Sequence, residues 1–81
     1  MGSLYNRFEE FPRNHVVITP SDANDLTREM LIYAGGAGTI TVHDSNGTPA
    51  TYNLTAGDII PIVAKRVLST GTTATPVIGL Y

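Results

Sequence analysis

The sequence predicts an all-β fold, a single small antiparallel β-sandwich or squashed barrel with an extended N-terminal arm. Residues 38–43 and 49–54 alternate between apolar and polar side chains, which is typical of half-buried strands. Turn-forming residues separate short apolar segments about every 8–12 residues, the spacing of sandwiches and barrels. The second half of the chain is rich in Thr, Val and Ile, and β-branched residues favour strands over helices.

Length and composition bound the possibilities further. The chain has 81 residues, no Cys and two His that lie far apart, so it fits one domain without disulfides or Cys-ligated zinc. We expect no cofactor and no metal. Domains of this size often gain stability from partner subunits, and we therefore expect a homo-oligomer or a docked protein.

The charge pattern argues against two classes of partner. The formal net charge is −2, whereas a nucleic-acid-binding surface neutralises many phosphates. The chain also lacks an apolar run of the roughly 18 residues that a membrane span needs. We therefore expect neither nucleic acid nor a membrane as partner. A charge-poor, Thr-rich exterior suits either an ordinary β-domain or a surface that packs against neighbours.

Residues 1–14 are predicted to form an arm and residues 15–81 the β-sandwich domain. The arm carries four large apolar side chains, and Pro12 would stop a helix there. Leu4, Phe8 and Phe11 also fit the spacing of a short amphipathic helix. The arm either folds back onto its own domain or reaches a partner, and we predict the second because aromatic side chains often anchor interfaces. The predicted anchors are Leu4, Tyr5, Phe8 and Phe11.

The first strands can be located from their ends. Residues 15–19 form a strand candidate that Pro20 terminates. Residues 26–34 have both helical and strand character, and the Gly35-Gly36 pair that follows favours a strand at 30–33. Asn46-Gly47 is a strong hairpin signal between residues 38–43 and 49–54.

The later strands complete a set of six to eight. Residues 59–63 are entirely apolar, and Pro61 places this strand at a sheet edge or a bulge because proline cannot donate to a ladder. Further strands are predicted at 67–70 and 76–81. The side chains expected to be largely buried are Ile40, Val42, Leu54, Ile60, Ile62, Leu68, Ile78 and Leu80.

Few residues suggest catalysis, and we predict that the protein is not an enzyme. His43, Asp44 and Ser45 include triad residue types, but strand neighbours point to opposite faces. Residues 21–25 favour a turn over a calcium loop, and residues 35–38 form a glycine-rich turn without the Lys-Ser/Thr of a phosphate-binding loop. The pair Lys65 and Arg66 is interpreted as a salt-bridge site at the rim of an interface.

Several segments resemble one family of virion proteins. Thr19–Asp22, the glycine turn at 33–38, Ala56–Pro61 and above all Arg66–Thr75 with the terminal Leu80-Tyr81 match its pattern. Over roughly residues 15–81 the chain resembles the head spike-base proteins of gene transfer agents and the related capsid decoration, or cement, proteins of tailed phages. It departs from them in its longer aromatic arm and in a longer hairpin tip at 44–48.

The resemblance implies a structural role without catalytic residues. A member would sit on the outer capsid surface after synthesis in the bacterial host cytoplasm. It would bind the major capsid protein and itself, with a spike or fibre protein as a further candidate partner. The alternative is a carbohydrate-binding or host-adhesion β-sandwich module, since exposed aromatic and polar groups can form such sites.

Overall fold

The computed structural model describes residues 11–81, and Leu4, Tyr5 and Phe8 of the predicted arm lie outside this range. Seven strands and no helix occur in the described part of the chain. The strands are β1 (His15–Ile18), β2 (Met30–Ala34), β3 (Gly38–His43), β4 (Pro49–Leu54), β5 (Ile59–Ala64), β6 (Arg66–Leu68) and β7 (Val77–Leu80). The predicted all-β class and the predicted number of strands are confirmed.

Two antiparallel sheets pack into a small sandwich. The four-stranded sheet has the order β1-β7-β2-β5, and the three-stranded sheet has the order β4-β3-β6. Only Lys65 separates β5 from β6, so the chain crosses from one sheet to the other at this residue. The backbone amide of Lys65 donates to the carbonyl of His43 at 2.8 Å, which fixes the crossing against β3.

The β3–β4 hairpin forms as the Asn-Gly signal predicts. Its register is unbroken from the Gly38–Leu54 pair to the His43–Pro49 pair. At the tip, Oδ1 of Asp44 accepts hydrogen bonds from the backbone amides of Asn46 and Thr48 at 2.8 and 2.9 Å. An aspartate that binds backbone amides two and four residues later stabilises such a turn.

The prediction for Pro61 is also confirmed. Strand β5 is an edge strand of the four-stranded sheet. Its pairing with β2 is irregular, because Leu31 and Ile32 pair with Val63 and Ile60, which are three residues apart. Pro61 therefore lies in a bulge at an edge, where no ladder bond requires its missing N–H.

The core lies between the two sheets and is entirely aliphatic at its centre. The largest side chains without solvent exposure are Ile32, Ile40, Ile60, Val42 and Val67. Ile40, Val42 and Ile60 were predicted to be buried, and they are. Leu54 is half-buried and packs against the core.

Four other core expectations were wrong, and three of them, for Leu68, Ile78 and Leu80, were wrong by one position along a strand. Ile62 is 36% exposed, because the Pro61 bulge turns it out of the sandwich while Ala64 turns in. Ile78 and Leu80 are only half-buried, since Val77 and Gly79 are the residues of β7 that face the core. Likewise Val67 rather than Leu68 is the buried residue of β6. Side chains alternate along a strand, so a shift of one residue exchanges the two faces.

Candidate interaction surfaces

The described residues offer little to a catalytic or metal-binding site. Residues 11–81 hold no group of three or more His, Asp and Glu side chains that could bind a metal ion. No helix long and apolar enough to cross a membrane occurs in this part of the chain. His43 is half-buried at the end of β3.

The loop between β1 and β2 is folded by its own polar side chains. Oγ of Ser21 accepts hydrogen bonds from the amides of Ala23 and Asn24, both at 3.2 Å. The carboxylate of Asp22 accepts one hydrogen bond from the Thr70 amide at 3.0 Å and one from the Thr70 hydroxyl at 2.6 Å. These bonds hold the pKa of Asp22 below its ordinary value of 3.8. The turn predicted for residues 21–25 is thus present, and its first carboxylate is occupied by Thr70.

The basic pair after β5 is tied to the same loop. Nε of Arg66 lies 2.8 Å from Oδ1 of Asp25, and its Nη1 donates to the Asp22 carbonyl at 3.0 Å. Nζ of Lys65 lies 4.0 Å from Asp25, and 42% of the Lys65 side chain is exposed. Arg66 is thus engaged within the chain, whereas Lys65 retains much of its surface.

A threonine-rich segment, residues 70–75, covers one side of β3. The amides of Thr73 and Ala74 both donate to the Thr39 carbonyl, at 2.8 and 3.1 Å. In return, the Thr39 amide donates to Oγ1 of Thr73 at 2.9 Å. The Thr41 amide likewise donates to Oγ1 of Thr72 at 3.0 Å. Backbone and side-chain hydrogen bonds together continue the sheet beyond β6, so this block of the family resemblance has a structural role.

The outer side of the four-stranded sheet is apolar, and sequence reasoning did not find it. Residues that pair directly across antiparallel strands share a face. One row crosses the sheet as Val17, Ile78, Tyr33 and Ile59, and the next as His15, Leu80, Leu31 and Val63. We call these residues, without His15, the apolar sheet face.

The apolar sheet face is accessible at both edges of the sheet. Val17 is 66% exposed on β1, while Ile59 and Val63 on β5 are 48% and 43% exposed. Its residues on the inner strands β2 and β7 are half-buried. It contains no Asp, Glu, Lys or Arg, which is typical of the centre of a protein interface.

The described chain also has a shallow apolar groove beside β1. Its volume is about 230 Å³, and it lies between residues 16–19 and 25–30. The polar side chains that line it are Thr19, Asp25 and Thr27, and Asp25 is already bound to Arg66. Sugar sites usually combine an apolar surface with several convergent polar groups, and this groove offers few.

Known proteins include a relative of this chain. No protein-family model matches the chain, and no curated protein matches it. Among solved structures, a chain from "Capsid of native GTA particle computed with C5 symmetry" superposes with a TM-score of 0.78. The two sequences are 39% identical over 86% of this chain and 83% of that chain. The chain belongs to the family of this gene transfer agent capsid component.

Membership of this GTA capsid family agrees with the resemblance of the sequence to capsid-associated proteins of gene transfer agents. The shared fold includes the sandwich, and most of the chain is covered.

Proposed function

We propose that the protein is a virion structural protein on the outer surface of a gene transfer agent or phage capsid. It acts there as a decoration, cement or spike-base protein, binds the major capsid protein and itself, and performs no catalysis. The match of 39% identity to a GTA capsid chain over most of both chains carries this proposal.

The surface of the molecule supports the same role. The apolar sheet face presents seven uncharged side chains, and Val17, Ile59 and Val63 are substantially exposed within it. Isolated exposed apolar residues are common, but a contiguous apolar face marks a surface that another protein covers. A capsid offers many identical contacts, so even weak individual interfaces gain avidity.

The interface residues in this proposal are Leu4, Tyr5, Phe8, Phe11, Lys65 and Arg66. Phe11 is 57% exposed at the beginning of the described chain. Lys65 has the accessible basic group of the pair, whereas Arg66 contributes by holding the β1–β2 loop in place. A spike or fibre protein remains a further candidate partner.

Binding to particles that lack this protein tests the proposal. Purified full-length chain is added to undecorated particles, which are then sedimented and imaged by electron cryomicroscopy. We expect saturable co-sedimentation and added density outside the shell, while particles that already carry the protein serve as the control and bind no more. Absence of binding, or density inside the shell, would contradict the proposal.

A second measurement separates the alternative function. The same preparation is applied to a panel of immobilised glycans. Selective glycan binding together with no affinity for particles would favour an adhesion module instead.

A Lys65→Ala variant tests whether the Lys65 side chain contributes to binding particles. Lys65 lies 4.0 Å from Asp25, and its removal leaves the 2.8 Å contact between Arg66 and Asp25 in place.

A further inference from the structure

The direction in which the chain enters β1 limits where the N-terminal segment can lie. The amide and carbonyl of Asn14 bond to the carbonyl and amide of Tyr81, which extends the β1–β7 ladder by one pair. Met30 and Ala64 form the terminal pair of β2 and β5 at the same level of the sheet, so the described backbone before Asn14 passes the end of its own sheet. The N-terminal segment would therefore have to reverse its direction in order to lie on its own sheet.

The size of the apolar sheet face indicates what kind of partner fits it. Four strands about 4.8 Å apart, each presenting about 15 Å of its length, give a face of roughly 300 Å². A stable interface between two proteins usually buries about 800 Å² on each partner. The face is therefore small for a stand-alone dimer contact between two sheets, but it is large enough for a peptide segment.

The N-terminal segment has the length and chemistry for this face. Residues 1–10, when extended, reach at most about 36 Å, and the face is about 19 Å wide across four strands. The segment provides Leu4, Tyr5 and Phe8, while its charged residues are Arg7, Glu9 and Glu10. Large apolar side chains gain about 1.5–3 kcal/mol each when buried, and the face offers uncharged side chains to bury them.

We propose that residues 1–10 of one copy lie across the apolar sheet face of a neighbouring copy, with Leu4, Tyr5 and Phe8 as anchors. This inference rests on the self-association in the proposed function and names its contact. Each copy then gives a segment and receives one, so the contact repeats from copy to copy.

Photo-crosslinking of the full chain tests this contact. The photoreactive residue p-benzoylphenylalanine replaces Tyr5, and the protein is irradiated both in concentrated solution and on particles. We expect a covalent dimer at twice the 8.6 kDa mass of the chain, with crosslinked peptides from β1, β2, β5 or β7. The matched control carries the probe at Asn53, which is exposed on the three-stranded sheet, and should give several-fold less dimer.

Substitutions on the face sharpen the test. Val17→Thr with Ile59→Thr retains β-branched side chains at exposed positions, so the fold should persist while the dimer yield from the Tyr5 probe falls several-fold. Crosslinks within one chain, crosslinks to the three-stranded sheet, or no crosslinks in either sample would overturn the inference.

The crosslinking and particle-binding results together distinguish a failure of this inference from a failure of the proposed function. If the Tyr5 probe reacts with the major capsid protein alone, the inference fails while the capsid role is supported. If dimers form through the face but the chain does not bind particles, the inference stands and the capsid role fails.

Discussion

The carboxylate of Asp22 joins two distant segments of the chain, the β1–β2 loop and Thr70. Hydrogen bonds from Thr70 lower its pKa, and the amide and hydroxyl of Thr55 lower the pKa of Asp58 in the same way. A carboxylate whose pKa is lower in the folded state stabilises the fold above its unfolded pKa. This contribution is lost as the pH falls through the folded value.

We therefore expect the stability of the fold to decrease as the pH falls below the ordinary aspartate pKa of 3.8. Asp22→Asn keeps the size of the side chain but removes its titration, so its unfolding free energy should depend less on pH in this range. Urea unfolding at several values between about pH 5 and pH 2 measures the difference. Asp22→Asn combined with Asp58→Asn should flatten the profile further, and an unchanged slope in both variants would contradict the assignment.

Ile40 on β3 is one of the large core side chains without solvent exposure. Ile40→Ala should lower the unfolding free energy by about 2–5 kcal/mol, since it removes buried methyl groups and leaves a cavity. Val17→Ala is the matched control at an aliphatic position that is 66% exposed. Urea unfolding measures both variants. An equal loss of unfolding free energy would show that the buried position of Ile40 contributes no more to stability than the exposed position of Val17.

Among the elements, the threonine-rich segment lies close against its sheet at Gly71. Its φ of +91° is unfavourable for other residues, and a Cβ there would collide with the Thr41 side chain. Thr41 is itself buried and bonds Oγ1 of Thr51 at 2.7 Å. A change at Gly71 therefore affects both the turn and the hydroxyl contact below it.

We expect Gly71→Ala to destabilise the fold more than Gly47→Ala does. Both glycines have positive φ, of +91° and +83°, which makes alanine unfavourable by about 1–3 kcal/mol at either position. Only Gly71 has a neighbour that a Cβ would strike, since nothing lies within 4 Å at Gly47. Thermal unfolding of the two variants isolates this contact, and equal melting temperatures would show that residues 71–73 can move away from β3.

The positions of the strands could be predicted from the sequence more completely than which of their side chains point into the core. Turn residues such as Asn46-Gly47 and Ala56–Asp58 mark where strands end, and Ile40 and Val42 alternate with polar neighbours. Residues 77–80 are apolar on both faces, so nothing in their pattern shows that Val77 and Gly79 point inward. The bulge at Pro61 adds a shift that depends on pairing with β2.

The apolar sheet face was missed for the same reason. Ile78 and Leu80 were assigned to the core because apolar residues are usually buried there. Their outward position follows from the pairing of β7 between β1 and β2, and long-range pairing is not visible in a local pattern.

For the whole molecule, apolar residues lie both in the core and on the surface, which suggests that another protein covers the apolar surface. The charged residues are concentrated in the first 29 positions, and only Asp44, Asp58, Lys65 and Arg66 follow. Strands β2 to β7 and the loops between them therefore have few charges with which to repel neighbours, while the N-terminal segment combines large apolar side chains with charged residues. Self-association and capsid binding are consistent with this distribution.

The apolar anchors should decide whether the whole molecule assembles. In the full-length chain, Leu4→Ser, Tyr5→Ser and Phe8→Ser together remove three large apolar side chains outside the described sandwich. We expect an unchanged far-UV circular-dichroism spectrum and a several-fold weaker binding to undecorated particles, because buried side chains of this kind contribute most to interfaces.

The matched control changes Ser3, Asn6 and Glu10 to Ala in the same segment, and it should bind as the unaltered protein does. Equal binding by both triple variants would show that the segment is not an anchor. Loss of the β-sheet spectrum in the serine variant would show instead that these side chains belong to the domain's own core. Reduced binding with an intact spectrum is the result expected if the sandwich folds alone and assembles through its N-terminal segment.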